Sequence, residues 1–252
     1  MSAPHDRTNS DETSEEWSAL ATDAILVLEA IGGHCLGLPA GTSVWSAQGV
    51  AARVVLRANE LLGATLNLIN LSTPRAARTL ARGLLECAFA AGALTTAPDT
   101  FVQMLKDDSN KSRRNQGKFI LDRNLGNAGL NRVKLTRAID AMDKKLELIS
   151  PKRIAELGPF TSLYLQYQRL SDDSAHLTAR SLEHYVSRTS EGWLSTIGAP
   201  NIADDVATLQ LALQSALLTG AAVSEVLRLP NERQNAMALL LRMGDFANIK
   251  LI

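Results

Sequence analysis

Apolar residues recur at three- and four-residue steps along most of this chain, which is the spacing of one face of an α-helix. The first such series predicts a helix over residues 12–31, and glutamates occupy its first positions, where a helix N-terminus favours negative charge. Its apolar positions are Trp17, Leu20, Ala24, Leu28 and Ile31. Gly32 and Gly33 are expected to end this helix, since glycine commonly follows the last helical turn.

Capping residues and prolines divide the rest of the chain into further helices. Thr73-Pro74 and Ser150-Pro151 each place a hydroxyl residue before a proline, which is the arrangement that starts a helix. The predicted helices after the first are residues 43–71, 74–96, 98–125, 131–148, 151–157, two stretches that flank Ser171, 203–228 and 232–243.

The fold class predicted from this pattern is all-α. The sequence shows no sustained period-two alternation of β-branched residues between turns, which a half-buried strand would show. Residues 192–200 are expected to form a loop. We therefore predict a single-domain multi-helix bundle of about seven to nine helices over residues 12–252, preceded by a disordered tail over residues 1–11.

Composition is that of a globular domain. Hydrophobic residues make up 46% and charged residues 21% of the 252 positions, which excludes disordered, collagen-like and disulfide-scaffold chains. The two cysteines, Cys35 and Cys87, are far apart in apolar surroundings and are expected to be buried reduced thiols. The sequence contains no run of about 18 uninterrupted apolar residues and no secretory signal. A cytoplasmic location without membrane association is therefore expected.

The formal net charge is zero, but the charges are unevenly distributed. Residues 1–30 contain 7 acidic residues and 1 basic residue, whereas residues 106–153 contain 13 basic and 6 acidic residues. A local positive field attracts phosphate backbones, so RNA is a candidate partner, with Arg113, Arg114 and Lys118 among the binding residues. The alternative is a solvated helical hairpin that pairs with the acidic N-terminal helix of the same or a neighbouring chain.

Reactive side chains are densest between residues 164 and 185. Tyr164, Tyr167 and Ser171 lie at three- and four-residue steps and share one helical face. The Ser-Asp-Asp-Ser run at residues 171–174 favours a break and a restart of the helix. The residues that share a face of the second helix, if that helix is continuous, are His176, Arg180 and His184.

A second constellation lies on the third predicted helix, where Arg78, Arg82 and Glu86 follow one another at four-residue steps. Because an isolated buried charge is very costly, such a row must be paired or functional. One interpretation is an internal Arg82–Glu86 salt bridge that fixes the helix register. The other is a polar pocket that Arg82 and Glu86 share with Tyr167 and His176.

Most enzyme templates are absent from the sequence. It contains no Glu-x-x-His pair for a di-metal bundle, no Gly-x-Ser-x-Gly nucleophile elbow and no phosphate loop, so neither a metal nor a cofactor is expected. Metal-independent RNA cleavage needs a general base for the 2′-hydroxyl and a cation for the developing phosphorane charge. Arg169 and His176, with six residues between them, supply such a cation and such a base.

Two motifs carry a resemblance to known proteins. The segment Arg82-Gly-Leu-Leu-Glu86, combined with Tyr167-Gln-Arg-Leu-Ser171-Asp-Asp-Ser-Ala-His176, resembles a family of uncharacterised bacterial all-helical proteins. That resemblance covers most of the chain, and it implies an all-helical fold without a settled function.

More distantly, Arg169-x6-His176 is similar to the Arg-x(4–6)-His signature of HEPN-domain proteins. Many of those proteins are helical, dimeric ribonucleases of toxin–antitoxin and phage-defence systems. The resemblance therefore implies a composite catalytic site of Arg169 and His176 across a dimer. The sequence departs from the signature at Leu170, where a polar residue is usual.

Two functions follow as hypotheses. The first is a HEPN-like, metal-independent ribonuclease of a toxin or phage-defence type, in which Arg169 and His176 are catalytic and residues 106–153 dock RNA. A homodimer is expected for it, and an antitoxin would be a partner of unknown identity. The second is a non-catalytic binding or regulatory protein, and its pocket residues are Arg82, Glu86, Tyr167, Ser171, Asp173 and His176. The same residues can also form a satisfied buried network with no ligand.

Overall fold

The computed structural model describes residues 7–125, 129–143, 145–197 and 202–247. These residues contain ten α-helices, a 3₁₀ turn, a π-helical turn and a two-stranded hairpin. In chain order the elements are α1 (Arg7–Leu36), α2 (Ala47–Asn70), α3 (Pro74–Thr96), α4 (Pro98–Asp122), α5 (Gly129–Asp140), α6 (Pro151–Leu157), the 3₁₀ turn (Thr161–Leu163), α7 (Tyr164–Leu170), the π turn (Ser171–Ala175), α8 (Ala179–Glu183), β1 (Val186–Thr189), β2 (Gly192–Ser195), α9 (Ile202–Leu227) and α10 (Pro230–Ala247). The fold is mostly all-α, with slightly more helices than predicted.

α3 is the central helix of the bundle. Pro74 begins it, as predicted, and it ends at Thr96 just before the proline that starts α4. It packs against α2 and α9 on two sides and against α6 and α7 on another. Small side chains allow these neighbours to approach closely. The small buried residues of α3 are Ala77, Ala81, Ala88, Ala91, Gly92 and Ala93.

α1 and α10 pack against each other and against α9 to complete the bundle. Arg242 of α10 forms an ion pair with Asp23 of α1 at 2.7 Å, and the imidazole of His34 lies 2.8 Å from the Glu232 carboxylate. Exposed pairs of this kind contribute about 0–1 kcal/mol each. The apolar face of α1 therefore holds the two helices in place, and its buried residues include Leu20, Leu28 and Ile31.

The expected end of α1 at Gly32 and Gly33 is wrong, because the helix continues to Leu36. A Cβ at Gly32 would lie 3.2 Å from Leu56 Cδ2 of α2, so the missing side chain lets the two helices approach. Glycine in a helix costs about 1 kcal/mol relative to alanine, and packing against α2 offsets that cost. Gly32 is a packing residue in this fold and not a cap.

α5 is shorter than predicted, since it ends at Asp140 and not near residue 148. The Asp143 carboxylate accepts a hydrogen bond from the backbone N–H of Lys145 at 2.8 Å, a local turn that competes with the helix. The backbone N–H of Ile149 then donates to the Asp108 carboxylate of α4, also at 2.8 Å. Side-chain acceptors therefore replace the helical hydrogen bonds over this connection.

A β-hairpin occupies part of the segment that the sequence predicts as helix and loop. β1 and β2 pair antiparallel, with Val186 opposite Ser195 and Thr189 opposite Gly192. Gly192 has a φ of 135°, which an L side chain rarely adopts, and this conformation helps the chain to reverse. Each strand has four residues, too few for an alternating pattern to be recognised in the sequence.

Two helical segments, Glu16–Leu36 and Asp204–Leu227, are long and apolar enough to cross a membrane by length and composition alone. Buried helices of a globular core satisfy the same criterion. Asp204–Leu227 lies within α9, which packs against α2, α3 and α10 in this bundle. The cytoplasmic location stays a prediction.

Two backbones approach closely where Gly158, just after α6, meets Gly92 of α3. A Cβ added at Gly158 would lie 2.7 Å from the carbonyl carbon of Gly92. We expect Gly158→Ala to lower the free energy of unfolding by about 1–3 kcal/mol, because backbone atoms cannot rotate aside as a side chain can. Urea unfolding followed by circular dichroism measures this loss.

Gly63→Ala is the matched control, since the space around Gly63 of α2 is open. Alanine there should be neutral or should stabilise the fold by up to about 1 kcal/mol. Equal losses in the two variants would contradict the importance of the Gly158–Gly92 contact.

Candidate functional site

The charged row of α3 faces α7 and the π turn. Arg82 Nε donates to the Ser171 hydroxyl at 2.9 Å, and a terminal amino group of Arg82 donates to the Tyr167 phenol. The same guanidinium lies 3.3 Å from the Glu86 carboxylate, one helical turn away. The Tyr167 phenol in turn donates to Glu86 at 3.2 Å. These four side chains form a closed set of contacts that we call the α3–α7 network.

The α3–α7 network is half-buried and packed between aromatic rings. Tyr167 is 6% exposed, while the side chains of Arg82 and Glu86 are 22% and 33% exposed. The Arg82 guanidinium lies 4.8 Å from the centre of the Tyr167 ring, a cation–π contact. The rings of Phe89 and Tyr164 pack against Tyr167 at 6.0 and 5.7 Å. Burial raises the pKa of the Tyr167 phenol, so the phenol remains a neutral donor at physiological pH.

Asp173 of the π turn joins that turn to α3 and α8. Its Oδ2 accepts a hydrogen bond from Arg78 of α3 at 2.7 Å, and its Oδ1 lies 2.6 Å from Arg180 Nε of α8. Asp173 is 8% exposed, so its charge depends on these two arginines. Arg78 also lies 3.7 Å from the Asp204 carboxylate at the start of α9. One buried carboxylate therefore holds α3, the π turn and α8 together.

His176 lies outside the α3–α7 network. It follows the π turn in an extended conformation, with φ −123° and ψ 151°, and its side chain is exposed. The His176 imidazole forms no hydrogen bond with another residue of the described ranges. α8 begins only after it, where Thr178 and Ser181 exchange the hydrogen bonds of a capping box. A continuous helix would place His176, Arg180 and His184 in one row, but α8 begins only after His176 and the row is interrupted.

A groove of about 780 Å³ runs beside the π turn, between α7, α9 and α10. Arg78, Arg169 and Arg180 line one part of it, together with the Asp173 carboxylate. Apolar side chains of α9 and α10 line much of the remainder, and polar side chains such as Gln166, Gln210 and Gln214 also contribute. The apolar ones include Leu211, Leu218, Leu240 and Met243. Arg169 is exposed and, within the part of the chain that the structure describes, has no carboxylate partner. The groove thus combines three arginines and one carboxylate with a largely apolar lining.

The α3–α7 network and the groove are neighbouring but separate features. Arg82, Glu86, Tyr167 and Ser171 meet one another, as a polar cluster would, but they do not line the groove. His176 does not line it either. Of the two residues of the Arg-x6-His motif, only Arg169 therefore reaches this concave surface.

The predicted RNA-binding residues Arg113, Arg114 and Lys118 all lie on α4. Arg113 and Lys118 are exposed, whereas Arg114 is only 7% exposed and its Nε is buried without a hydrogen bond. Gly117, on the same side of α4, faces α5, where an added Cβ would lie 2.8 Å from Ile139 Cδ1. Arg113 and Lys118 are therefore accessible to a phosphate, and Arg114 in this position is not.

Neither cysteine belongs to a reactive site. Cys35 and Cys87 are free and buried, and burial raises their pKa values to about 11 and about 12. Both are therefore neutral thiols at physiological pH, which are poor nucleophiles and poor metal ligands. Within the described ranges, no three His, Cys, Asp or Glu side chains lie together as a metal site would require.

Residues 48–192 match a family of unknown function, DUF5677, and the match spans more than half of the chain. The chain belongs to this family. The DUF5677 match runs from the first turn of α2 to the first residue of β2, so it includes the α3–α7 network, Arg169 and His176. No curated protein and no solved structure matches the chain. Membership of DUF5677 agrees with the expected uncharacterised family, whereas no match supports the HEPN resemblance.

Two groove residues, Arg78 and Arg180, are not among the predicted site residues. The sequence places each of them in a four-residue row with a predicted site residue, Arg78 with Arg82 and Arg180 with His176. The apolar wall of the groove carries no such signal. α10 is far from α7 along the chain, and only tertiary packing brings the two together.

Tyr167→Phe removes the phenol that contacts both Arg82 and Glu86. We expect the free energy of unfolding to fall by about 1–3 kcal/mol, because two half-buried charged groups lose a partner. Tyr164→Phe is the matched control, since Tyr164 packs on Tyr167 but its phenol has no hydrogen bond within the described residues. Chemical unfolding of both variants measures the difference.

A double-mutant cycle with Arg82→Met then tests whether the network acts as a unit. The free energies of unfolding lost in the two single variants should together exceed the loss in the double variant by about 0.5 kcal/mol or more. Strict additivity would show that Tyr167 and Arg82 do not act as a unit, and an equal loss from Tyr164→Phe would show that the loss is not specific to the network.

Proposed function

We propose that the protein is a non-catalytic binding or regulatory protein whose groove takes an amphipathic anion. The ligand class is a molecule with a carboxylate or phosphate group attached to an apolar chain or ring. One observation carries this proposal. The exposed Arg169 guanidinium has no carboxylate partner among the described residues, and it lies in a groove of about 780 Å³ whose other walls are largely apolar.

Arg169 supplies the charge that an anion would meet. Arg78 and Arg180 also line the groove, but each is engaged with Asp173, which neutralises part of their charge. A carboxylate or phosphate at Arg169 would accept two parallel N–H hydrogen bonds, the geometry in which arginine binds anions best. Arg180 is 63% exposed and can turn toward the same anion while Arg78 retains Asp173.

The walls contributed by α9 and α10 account for the apolar part of the ligand. Leu240 and Met243 form a buried floor, at 3% and 1% exposure, whereas Met237 and Leu241 are 42% and 60% exposed. An apolar chain laid on these side chains would remove their surface from water, which contributes about 25 cal/mol per Å². The groove volume also falls within the range of about 300–1,000 Å³ that is usual for small-molecule sites.

Isothermal titration with decanoate and decyl phosphate tests the proposal. Both should bind, and decyltrimethylammonium, which has the same chain with a positive head, should not. Arg169→Gln should weaken the binding of both anions about tenfold or more, because it removes a charge-assisted hydrogen bond. Arg188→Gln is the matched control, since Arg188 of β1 is exposed and does not line the groove.

Two results would overturn this function. Equal binding of the cationic and anionic amphiphiles would mean that only apolar contact attracts them. Unchanged affinity in Arg169→Gln would remove the groove arginine from the site. Because Arg169 is exposed, its substitution should leave the circular dichroism spectrum and the unfolding midpoint unchanged.

A HEPN-like ribonuclease is the second candidate, and a specific observation favours it. Arg169 and His176 flank the π turn, and both are exposed without an ion pair to another described residue. A free imidazole can take the 2′-hydroxyl proton, and a free guanidinium can hold the charge that develops on phosphorus. In the HEPN reading the two residues come from a dimer, toxin or phage-defence systems provide the setting, and an antitoxin is the partner protein.

Cleavage of a fluorescent RNA in the presence of EDTA tests this candidate. If it holds, His176→Ala should reduce the cleavage rate by about 10²–10⁴-fold, because it removes the general base. His184→Ala is the control, since His184 lies in the same segment but outside the motif. Equal rates for wild type and His176→Ala, or no cleavage by either, would exclude the ribonuclease.

A further inference from the structure

A strongly basic unit projects from the bundle. We call residues 111–125 and 129–140 the basic arm, which consists of the C-terminal half of α4, the three residues that follow it, and α5. The arm contains eight basic residues and two acidic ones. In α4, only Arg114 and Gly117 are buried beyond Val102, so this half of the helix is largely surrounded by solvent. The basic residues of the arm are Lys111, Arg113, Arg114, Lys118, Arg123, Arg132, Lys134 and Arg137.

The cations of the basic arm are not neutralised by the protein itself. Over the described ranges, none of them forms an ion pair, although Asp122 of α4 lies within the arm. The two carboxylates that most closely precede the arm in α4 bind other groups. Asp107 accepts a hydrogen bond from Gln103, and Asp108 accepts one from the backbone N–H of Ile149. Lys152 and Arg153 of α6 differ, because they contact Glu156 and Glu147 at 3.8 and 3.2 Å. Within the described ranges, the cations of the arm are therefore unpaired, whereas Lys152 and Arg153 of α6 are paired.

An exposed aromatic ring lies among these cations. Phe119 is 57% exposed, and the Arg123 guanidinium lies 6.0 Å from the centre of its ring. A ring in this position is open on one face and bordered by positive charge. Phosphate-binding cations beside an open aromatic face are the two elements with which proteins bind unpaired nucleotides.

We propose that the basic arm binds single-stranded nucleic acid, with its cations other than the buried Arg114 on the phosphates and Phe119 stacked on a base. Lys111 of α4 and Arg123, the residue that directly follows this helix, are twelve residues apart. Twelve helical residues extend over about 18 Å, which gives a footprint of a few nucleotides. Arg137, Lys134 and Arg132 add further cations on the adjacent α5. The surface uses neither Arg169 nor His176, so it is independent of the groove ligand and of RNA cleavage.

Fluorescence anisotropy with labelled oligouridylate and oligodeoxythymidylate of about 12 nucleotides tests the proposal. The double variant Lys118→Ala/Arg137→Ala should weaken binding at least tenfold at low salt. Its plot of log affinity against log salt should also be shallower by about 1.4, since each lost phosphate contact removes about 0.7. Lys152→Ala/Arg153→Ala is the matched control, because it removes the same charge from paired residues and should change affinity less than about twofold.

A second pair of variants separates stacking from charge. Phe119→Ala should weaken binding about fivefold or more without changing the salt dependence, because stacking involves no counterions. Val133→Ala is its control, since Val133 is an equally exposed apolar residue of the arm, at 56%, without a flat ring. All of the substituted residues lie at the surface, and circular dichroism checks that each variant retains the fold.

Several outcomes would overturn the proposal. Equal losses in the arm variant and in the Lys152/Arg153 variant would reduce the interaction to overall charge. Binding of a DNA duplex as tightly as of the single strands, with no effect of Phe119→Ala, would refute the stacked single strand. Binding to vesicles that contain phosphatidylserine, with no binding to either oligonucleotide, would assign the arm to a lipid surface instead.

The arm and the groove are tested by different variants. A loss of oligonucleotide binding in the arm variants supports the arm proposal, and the Arg169→Gln result bears only on the groove function.

Discussion

A guanidinium that leaves water must find partners for its charge and for its donors, and the architecture around the groove follows from how α3 satisfies this requirement. Arg82 contacts Ser171 while Arg78, one turn earlier, contacts Asp173, so α3 and the segment from α7 to the π turn run antiparallel. Each of these contacts fixes the rotation of α7 about its own axis. The side of α7 that carries Arg169 is thereby turned away from α3 and toward the groove.

Arginine is used in two physically different ways in this protein. In the groove, Arg78 and Arg180 share the Asp173 carboxylate, which fixes their geometry, whereas Arg169 has no carboxylate partner in the described part of the chain. In the basic arm the cations have no such partners among the described residues and extend along two helices. A fixed, shaped site selects a small anion by fit, whereas a row of solvated cations attracts a polymer by charge. The two surfaces therefore call for different ligands.

Local chemistry explains what the sequence predicts well. Ser150-Pro151 starts α6 because cap and proline act within one turn, and the four-residue row through Arg82 follows from helix geometry alone. The sequence fails where a distant element decides the outcome. Gly32 continues a helix because Leu56 of α2 packs against it, and the apolar wall of the groove exists only once α10 meets α7. The hairpin around Gly192 was missed because four-residue strands are too short to show a period.

The interior of the basic arm has an electrostatic consequence of its own. Arg114 is buried, its Nε has no hydrogen bond among the described residues, and Lys111 and Lys118 lie about one turn away on the same helix. Apolar contacts such as Gly117 with Ile139 must hold α4 and α5 together against the repulsion between their cations. Dissolved ions weaken repulsion between neighbouring cations over about 10 Å at 0.1 M, so they favour the closed arm. The same ions compete with a bound polyanion. Salt therefore acts on the arm in opposite directions, stabilising its fold while weakening its hold on nucleic acid, and a bound strand would take over the screening that salt provides.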